Sequence, residues 1–161
     1  LKKPVIAGVD GLAVGSAFEL ILACDLILAS DEAQFTLNEI NLGLIPSYGG
    51  IQRLIRSIGK KKTFEIVASG RILSAQEALI VGIVAEIYSD SEFPRRLMEY
   101  CKKMSQKSSQ SLWLIKDTIN QLTFKAIHDE IEVKNFIKAV GAKDAREGIA
   151  AFMEKRTPNF D

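Results

Sequence analysis

Gly11-Leu12-Ala13-Val14-Gly15-Ser16-Ala17-Phe18-Glu19-Leu20 is the stretch on which the reading of the fold turns. It follows an apolar run, Val5 to Val9, that reads as a buried strand ending at Asp10-Gly11. It leads through Gly15 into a short helix over Ser16 to Ala23, and a second apolar strand, Leu26 to Ala29, follows and stops at Ser30-Asp31. Strand, turn, helix and strand in that order predict α/β layering. Further along, Pro46 precedes a helix carrying Ile51, Leu54, Ile55 and Ile58, closed by Gly59. Ser74 caps a helix over Glu77-Ala78-Leu79 that stops at Gly82, and Ile83 to Ile87 reads as another strand.

From Asp90 onward nothing reads as strand. Phe93, Leu97, Tyr100, Cys101 and Met104 recur at helical spacing, as do Leu112, Ile115, Ile119 and Leu122, then Ile127 and Ile131, then Phe136 and Val140. The chain therefore divides into an α/β region, residues 1–89, and an all-helical region, residues 90–161. The helical stripes need a partner surface, either the α/β region or another subunit.

Composition narrows the function. With 47% hydrophobic residues over 161 positions, the chain can build a core without a disulfide lattice or a metal staple. Its two cysteines, Cys24 and Cys101, form no CxxC pair, and His128 is its single histidine. This predicts no metal site and a reducing compartment, the cytoplasm. A net charge of +1 supplies no field for nucleic acid or an anionic membrane. Lys60-Lys61-Lys62 reads as a solvated helix start, and Glu19 and Asp25 interrupt the richest apolar stretch before it reaches membrane-spanning length.

Two carboxylates stand out. Glu19 is the only charge between Asp10 and Asp25, in a segment whose other residues favour burial. An unpaired buried carboxylate costs several kcal/mol, roughly, or gives up its charge through a raised pKa. Just upstream, small residues at Gly15, Ser16 and Ala17 open a helix N-terminus whose free N–H groups favour an anion. Such a start with a carboxylate one turn later suits acid–base chemistry on an oxyanion. The same stretch also reads as a junction whose Gly and Ser only cap. Glu39 is isolated in the same way between Glu32 and Arg53, within Phe35 to Gly50. Taken alone it reads as a loop or N-cap carboxylate; taken with Glu19, it predicts a facing pair with a water between them, suited to adding or removing water across a double bond. A nucleotide site fits less well: no Lys follows Gly15, and Gly8, Gly11 and Gly15 do not space as G-x-G-x-x-G.

With those residues in view, the chain resembles the enoyl-CoA hydratase/isomerase (crotonase) family. The resemblance runs from Lys3-Pro4-Val5-Ile6-Ala7 through Ala23-Cys24-Asp25, Asn38-Glu39-Ile40-Asn41-Leu42-Gly43 and Ile45-Pro46-Ser47-Tyr48-Gly49-Gly50. It continues through Ser74-Ala75-Gln76-Glu77-Ala78 and Gly82-Ile83-Val84 to Arg146-Glu147-Gly148-Ile149 and Ala151-Phe152-Met153-Glu154-Lys155-Arg156. It implies a crotonase-like ββα spiral core, lacking its N-terminal part, followed by a helical trimerisation region. Glu19 and Glu39 would be the catalytic glutamates. The Ser16 N–H would be one of two oxyanion donors to the thioester, and the Ser47 N–H would help hold water. Phe152 and Lys155, three apart on a closing helix, would touch the coenzyme A nucleotide of a neighbouring subunit.

The activity so implied is reversible hydration of an enoyl-CoA thioester, in fatty-acid oxidation. No cofactor is expected beyond the coenzyme A carried by the substrate, and the assembly would be a homotrimer or hexamer. A double-bond isomerase using one glutamate, or a weakly active scaffold, are the alternatives. Three departures bear on this. Gly15-Ser16-Ala17 stands where the family usually has three glycines, and Asn38 where hydratases often have Pro. The chain also opens on Leu1 and heads directly into a strand, so it is expected to be the later part of a longer protein whose upstream part supplies the second oxyanion donor.

Overall fold

The computed structural model describes residues 1–123 and 129–160; Ile127 and His128, and the side chain of Ile131, lie outside what is described. Among the described residues, six short strands form two three-stranded sheets. β1 (Ile6–Val9), β3 (Leu26–Ser30) and β6 (Glu86–Tyr88) are parallel in the order β1-β3-β6, with Ile6 opposite Leu26 and Leu28 opposite Glu86. β2 (Leu12–Val14), β4 (Gln34–Thr36) and β5 (Leu73–Ser74) form the second sheet; β2 runs parallel to β4, and β5 antiparallel to it.

The first four strands, β1 to β4, alternate between the sheets, and the bends make this possible. Between β1 and β2 the chain turns at Gly11, whose φ of 111° is open to glycine. Each of the first two passes lays one strand in each sheet and then enters a helix: α1 (Ser16–Ile21) after β2, and a 3-10 helix (Glu39–Leu42) leading to α2 (Gly50–Ser69) after β4. This is the ββα spiral that the resemblance implied. Between and around the sheets lies one core of Phe18, Phe35, Leu37, Leu54, Ile66 and Leu73. Phe18 and Phe35 meet with ring centroids 5.2 Å apart at 47°.

Several elements differ from the sequence expectation. Gly59 does break the first helix of α2, with φ 76° and ψ 165°, but the chain resumes helical structure to Ser69 because Thr63 and Ile66 continue its buried face. The Ile83 to Ile87 strand begins later, at Glu86: the Ile83 and Val84 N–H groups both donate to Ala78 O (2.8 and 3.1 Å) and finish the turn after α3 (Ala75–Ile80). Ser74 caps α3 as expected, in a full capping box with Glu77. β2, β4 and β5 are two or three residues long, too short to carry a period of two.

The region after Asp90 is helical among the described residues: α4 (Phe93–Ser105), α5 (Ser109–Thr123), α6 (Asp129–Gly141) and α7 (Lys143–Met153). It folds back on the α/β region. Lys116 of α5 donates to Asp25 (2.6 Å), which also accepts the Val5 N–H (2.7 Å). α7 lies on the 3-10 helix at backbone contact: a Cβ on Gly148 would fall 2.5 Å from the Leu42 carbonyl carbon, and one on Gly43 2.5 Å from that of Asp144. Much of the apolar face of α5 remains exposed, Leu122 at 76%. No described helix is long and apolar enough to cross a membrane.

Candidate active site

α1 starts where Gly15 takes a backbone (φ 54°, ψ −125°) that L-residues avoid, and the Gly15 N–H is tied to Thr36 O of β4 (2.9 Å). The first intrahelical bond is Glu19 N–H to Gly15 O (3.0 Å), so the N–H groups of Ser16 and Ala17 precede the helical ladder. Both residues are exposed, which leaves this helix start open to an approaching group.

One turn on, Glu19 is buried, 1% exposed. Its Oε1 accepts the N–H groups of Tyr48 (2.9 Å) and Gly50 (2.8 Å). Two charge-assisted hydrogen bonds at the start of the long α2 offset the cost of burying the carboxylate. The packing is tight: a Cβ on Gly50 would fall 2.7 Å from Glu19 Cγ. Glycine there lets the backbone reach the acid.

Glu39 opens the 3-10 helix after Asn38, and the Leu44 N–H donates to its carbonyl (3.0 Å). Its carboxyl lies against Gly15, with Oε2 buried and without a hydrogen-bond partner among the described residues. Burial raises its pKa, a hydrogen bond from its own backbone lowers it in part, and the charge of Glu19 raises it again. The Glu39 carboxyl thus lies at the turn that opens α1, near enough for the charge of Glu19, one helical turn on, to act on it.

Of the other expected site residues, Ser47 is half-buried and lines a small cavity of about 210 Å³ with Gln52 and Arg53. The N–H groups on Glu19 are those of Tyr48 and Gly50. Phe152 is 70% exposed on α7. Lys155 lies beyond the end of that helix, at Met153, in a left-handed turn (φ 54°). The expected shared helix face of Phe152 and Lys155 is therefore corrected: the helix stops before Lys155. No group of three metal-binding side chains occurs among the described residues, and Cys24 and Cys101 are free. A larger groove of about 410 Å³, by Cys24, Arg56 and Lys116, is not lined by either glutamate.

Two features escaped the sequence reading. Tyr48 and Gly50 act through backbone N–H, and only the Gly49-Gly50 pair ahead of a helix hints at it. Glu132 of α6 sits among Asp129 and Glu130 and reads as part of a solvated face, yet it is 6% exposed.

A family model for enoyl-CoA hydratase/isomerase matches residues 1–161. A 2,3-dehydroadipyl-CoA hydratase of Escherichia coli (strain K12) is 38% identical over 161 residues, covering 99% of this chain and 63% of that protein. A probable mitochondrial enoyl-CoA hydratase of Dictyostelium discoideum is also 38% identical, over 99% of this chain and 58% of its own length. The crystal structure of an enoyl-CoA hydratase from Mycobacterium avium subsp. paratuberculosis K-10 superposes with a TM-score of 0.91 at 28% identity, covering 100% of this chain and 66% of that one. The chain therefore spans less than two thirds of the length of these curated relatives.

Proposed function

The chain belongs to the enoyl-CoA hydratase/isomerase family, and from that premise we propose that it carries both catalytic carboxylates of an enoyl-CoA hydratase. The observation that carries this reading is the pair of carboxyls at the start of α1, Glu39 against Gly15 and Glu19 buried one turn on, close enough for the charge of Glu19 to act on Glu39. Relatives named as hydratases at 38% identity support the same reaction class.

In the proposed reaction the thioester oxygen meets the Ser16 N–H at the start of α1, which stabilises the enolate as charge moves onto that oxygen. Glu19 has Oε1 held by two N–H donors, leaving Oε2 to take a proton from water as the hydroxyl adds to the beta carbon. Glu39 retains its proton to higher pH than an ordinary carboxyl because it is buried, and supplies it to the alpha carbon. Coenzyme A is the handle of the substrate, and the mechanism calls on no further cofactor. The exposed Phe152 and Lys155 are offered to the coenzyme A nucleotide of a neighbouring subunit, and the exposed apolar face of α5 supports a homotrimer or hexamer.

The test is loss of ultraviolet absorbance from crotonyl-CoA with the full-length protein. Hydration consumes the conjugated double bond. Absorbance gained from a 3-enoyl thioester instead would mark an isomerase, and no change with either would leave a scaffold.

A further inference from the structure

Three consecutive N–H groups, those of Tyr48, Gly49 and Gly50, each meet a carboxylate, and they alternate between two. Tyr48 and Gly50 donate to Glu19 Oε1 (2.9 and 2.8 Å), while Gly49 donates to Glu132 Oε1 (3.0 Å). The alternation follows from the left-handed conformation of Gly49 (φ 87°, ψ 15°), which turns its N–H away from its neighbours. A turn of this kind converges on a single anion only through the outer pair; the middle donor needs an acceptor of its own. Glu132 reaches it from α6, 83 residues along the chain.

We propose that Glu132 is a positioning residue: by holding the Gly49 N–H it fixes the Tyr48–Gly50 turn, and with it the orientation of the Glu19 carboxylate. The function of the turn rests on the reading of Glu19 given above, whereas the grip itself does not.

The surroundings of Glu132 fit a group held for its acceptor oxygen. It is buried within α6, and Oε2 has no hydrogen-bond partner among the described residues. From α1 it faces Glu19; from α2 it meets Gln52, and Arg53 shares its cavity. Arg53 in turn donates to Tyr48 O and so braces the same turn. Burial raises the pKa of Glu132, the hydrogen bonds from Gln52 and Gly49 lower it, and the charge of Glu19 raises it again. An aliphatic side chain at this position would avoid that burial cost but leave Gly49 without its acceptor.

The experiment compares the full-length wild type with Glu132→Ala and Glu132→Gln. Hydrogen exchange by mass spectrometry is read on the peptide spanning residues 48–52, and kcat and KM are read on crotonyl-CoA. Alanine is expected to speed exchange of that peptide about tenfold or more, with peptides of the two sheets unchanged, because the acceptor of a half-buried N–H is lost. It should also lower kcat about tenfold or more, with KM moving far less. Glutamine keeps an oxygen for Gly49 and should restore both most of the way. Unchanged exchange at 48–52 in the alanine variant overturns the proposal, as does an unchanged kcat when the wild type is active. A wild type that does not hydrate crotonyl-CoA overturns the functional reading instead, and exchange then decides the grip alone. If the alanine variant fails to fold, the glutamine variant decides: wild-type exchange and kcat support the grip, and a loss as large as that expected for alanine overturns it.

Discussion

Glu39 Oε1 and Gly15 lie so close that a Cβ on Gly15 would come within 2.9 Å of that oxygen. The same glycine holds a φ of 54° with ψ −125°, outside the regions open to other residues. Gly15→Ala therefore meets strain and a clash together. It should cost about 1–3 kcal/mol of stability, and it should displace the Glu39 carboxyl. Urea unfolding of the full-length variant beside the wild type checks the first, and turnover of crotonyl-CoA the second.

Removing either carboxyl should be costly for turnover. Glu19→Gln and Glu39→Gln are each expected to lower kcat for hydration about 10²–10⁴-fold. A variant at either position with wild-type kcat would show that the two acids do not share the reaction.

The Glu39 carboxyl should also leave a mark on stability, with a definite sign. Its pKa is raised on folding by burial, so the folded chain binds a proton more tightly than the unfolded chain. Stability then falls as pH rises from the ordinary carboxylate value, about 4.3, through the raised one, and the penalty is full above it. Glu39→Gln should thus melt higher than wild type at pH 7, by about 2–4 °C for each kcal/mol relieved, and lose that advantage near pH 4. Melting curves at both values decide it; an advantage that grows on acidification would mean the sign is wrong.

α7 touches the 3-10 helix through backbone alone at Gly148 and Leu42. Gly148→Ala forces the two apart at the element that begins with Glu39. About 1–3 kcal/mol of destabilisation is expected, measurable by denaturant unfolding, together with a fall in turnover.

Phe152 offers a contrast. It projects into solvent within this chain, so Phe152→Ala should change stability by no more than about 0.5 kcal/mol. If it meets coenzyme A across a subunit boundary, the same variant, like Lys155→Ala, should weaken binding of coenzyme A thioesters more than of thioesters truncated before the nucleotide. Equal weakening of both would remove these residues from the nucleotide contact.

Much of this protein is local, and what is local can be read from the order of residues. Buried parallel strands leave apolar runs such as Leu26–Ser30, Ser74 and Glu77 spell a capping box, and Glu19 and Glu39 stand out because each is a lone charge where the surroundings exclude water. The family resemblance reaches the spiral for the same reason, since it rests on ordered short motifs. Contacts between distant segments leave no such trace. Nothing near Glu132 separates it from Asp129 and Glu130; its burial depends on how α6 is rotated against a turn 83 residues earlier. The donors to Glu19 are backbone N–H groups, which every residue but proline carries, so only the left-handed bend at Gly49 selects Tyr48 and Gly50. The end of α7 before Lys155 is likewise set by how its last turn closes, with the Lys155 N–H on Phe152 O, and helical spacing alone runs past it. Sequence determined which residues are chemically out of place; tertiary packing decided which of them meet.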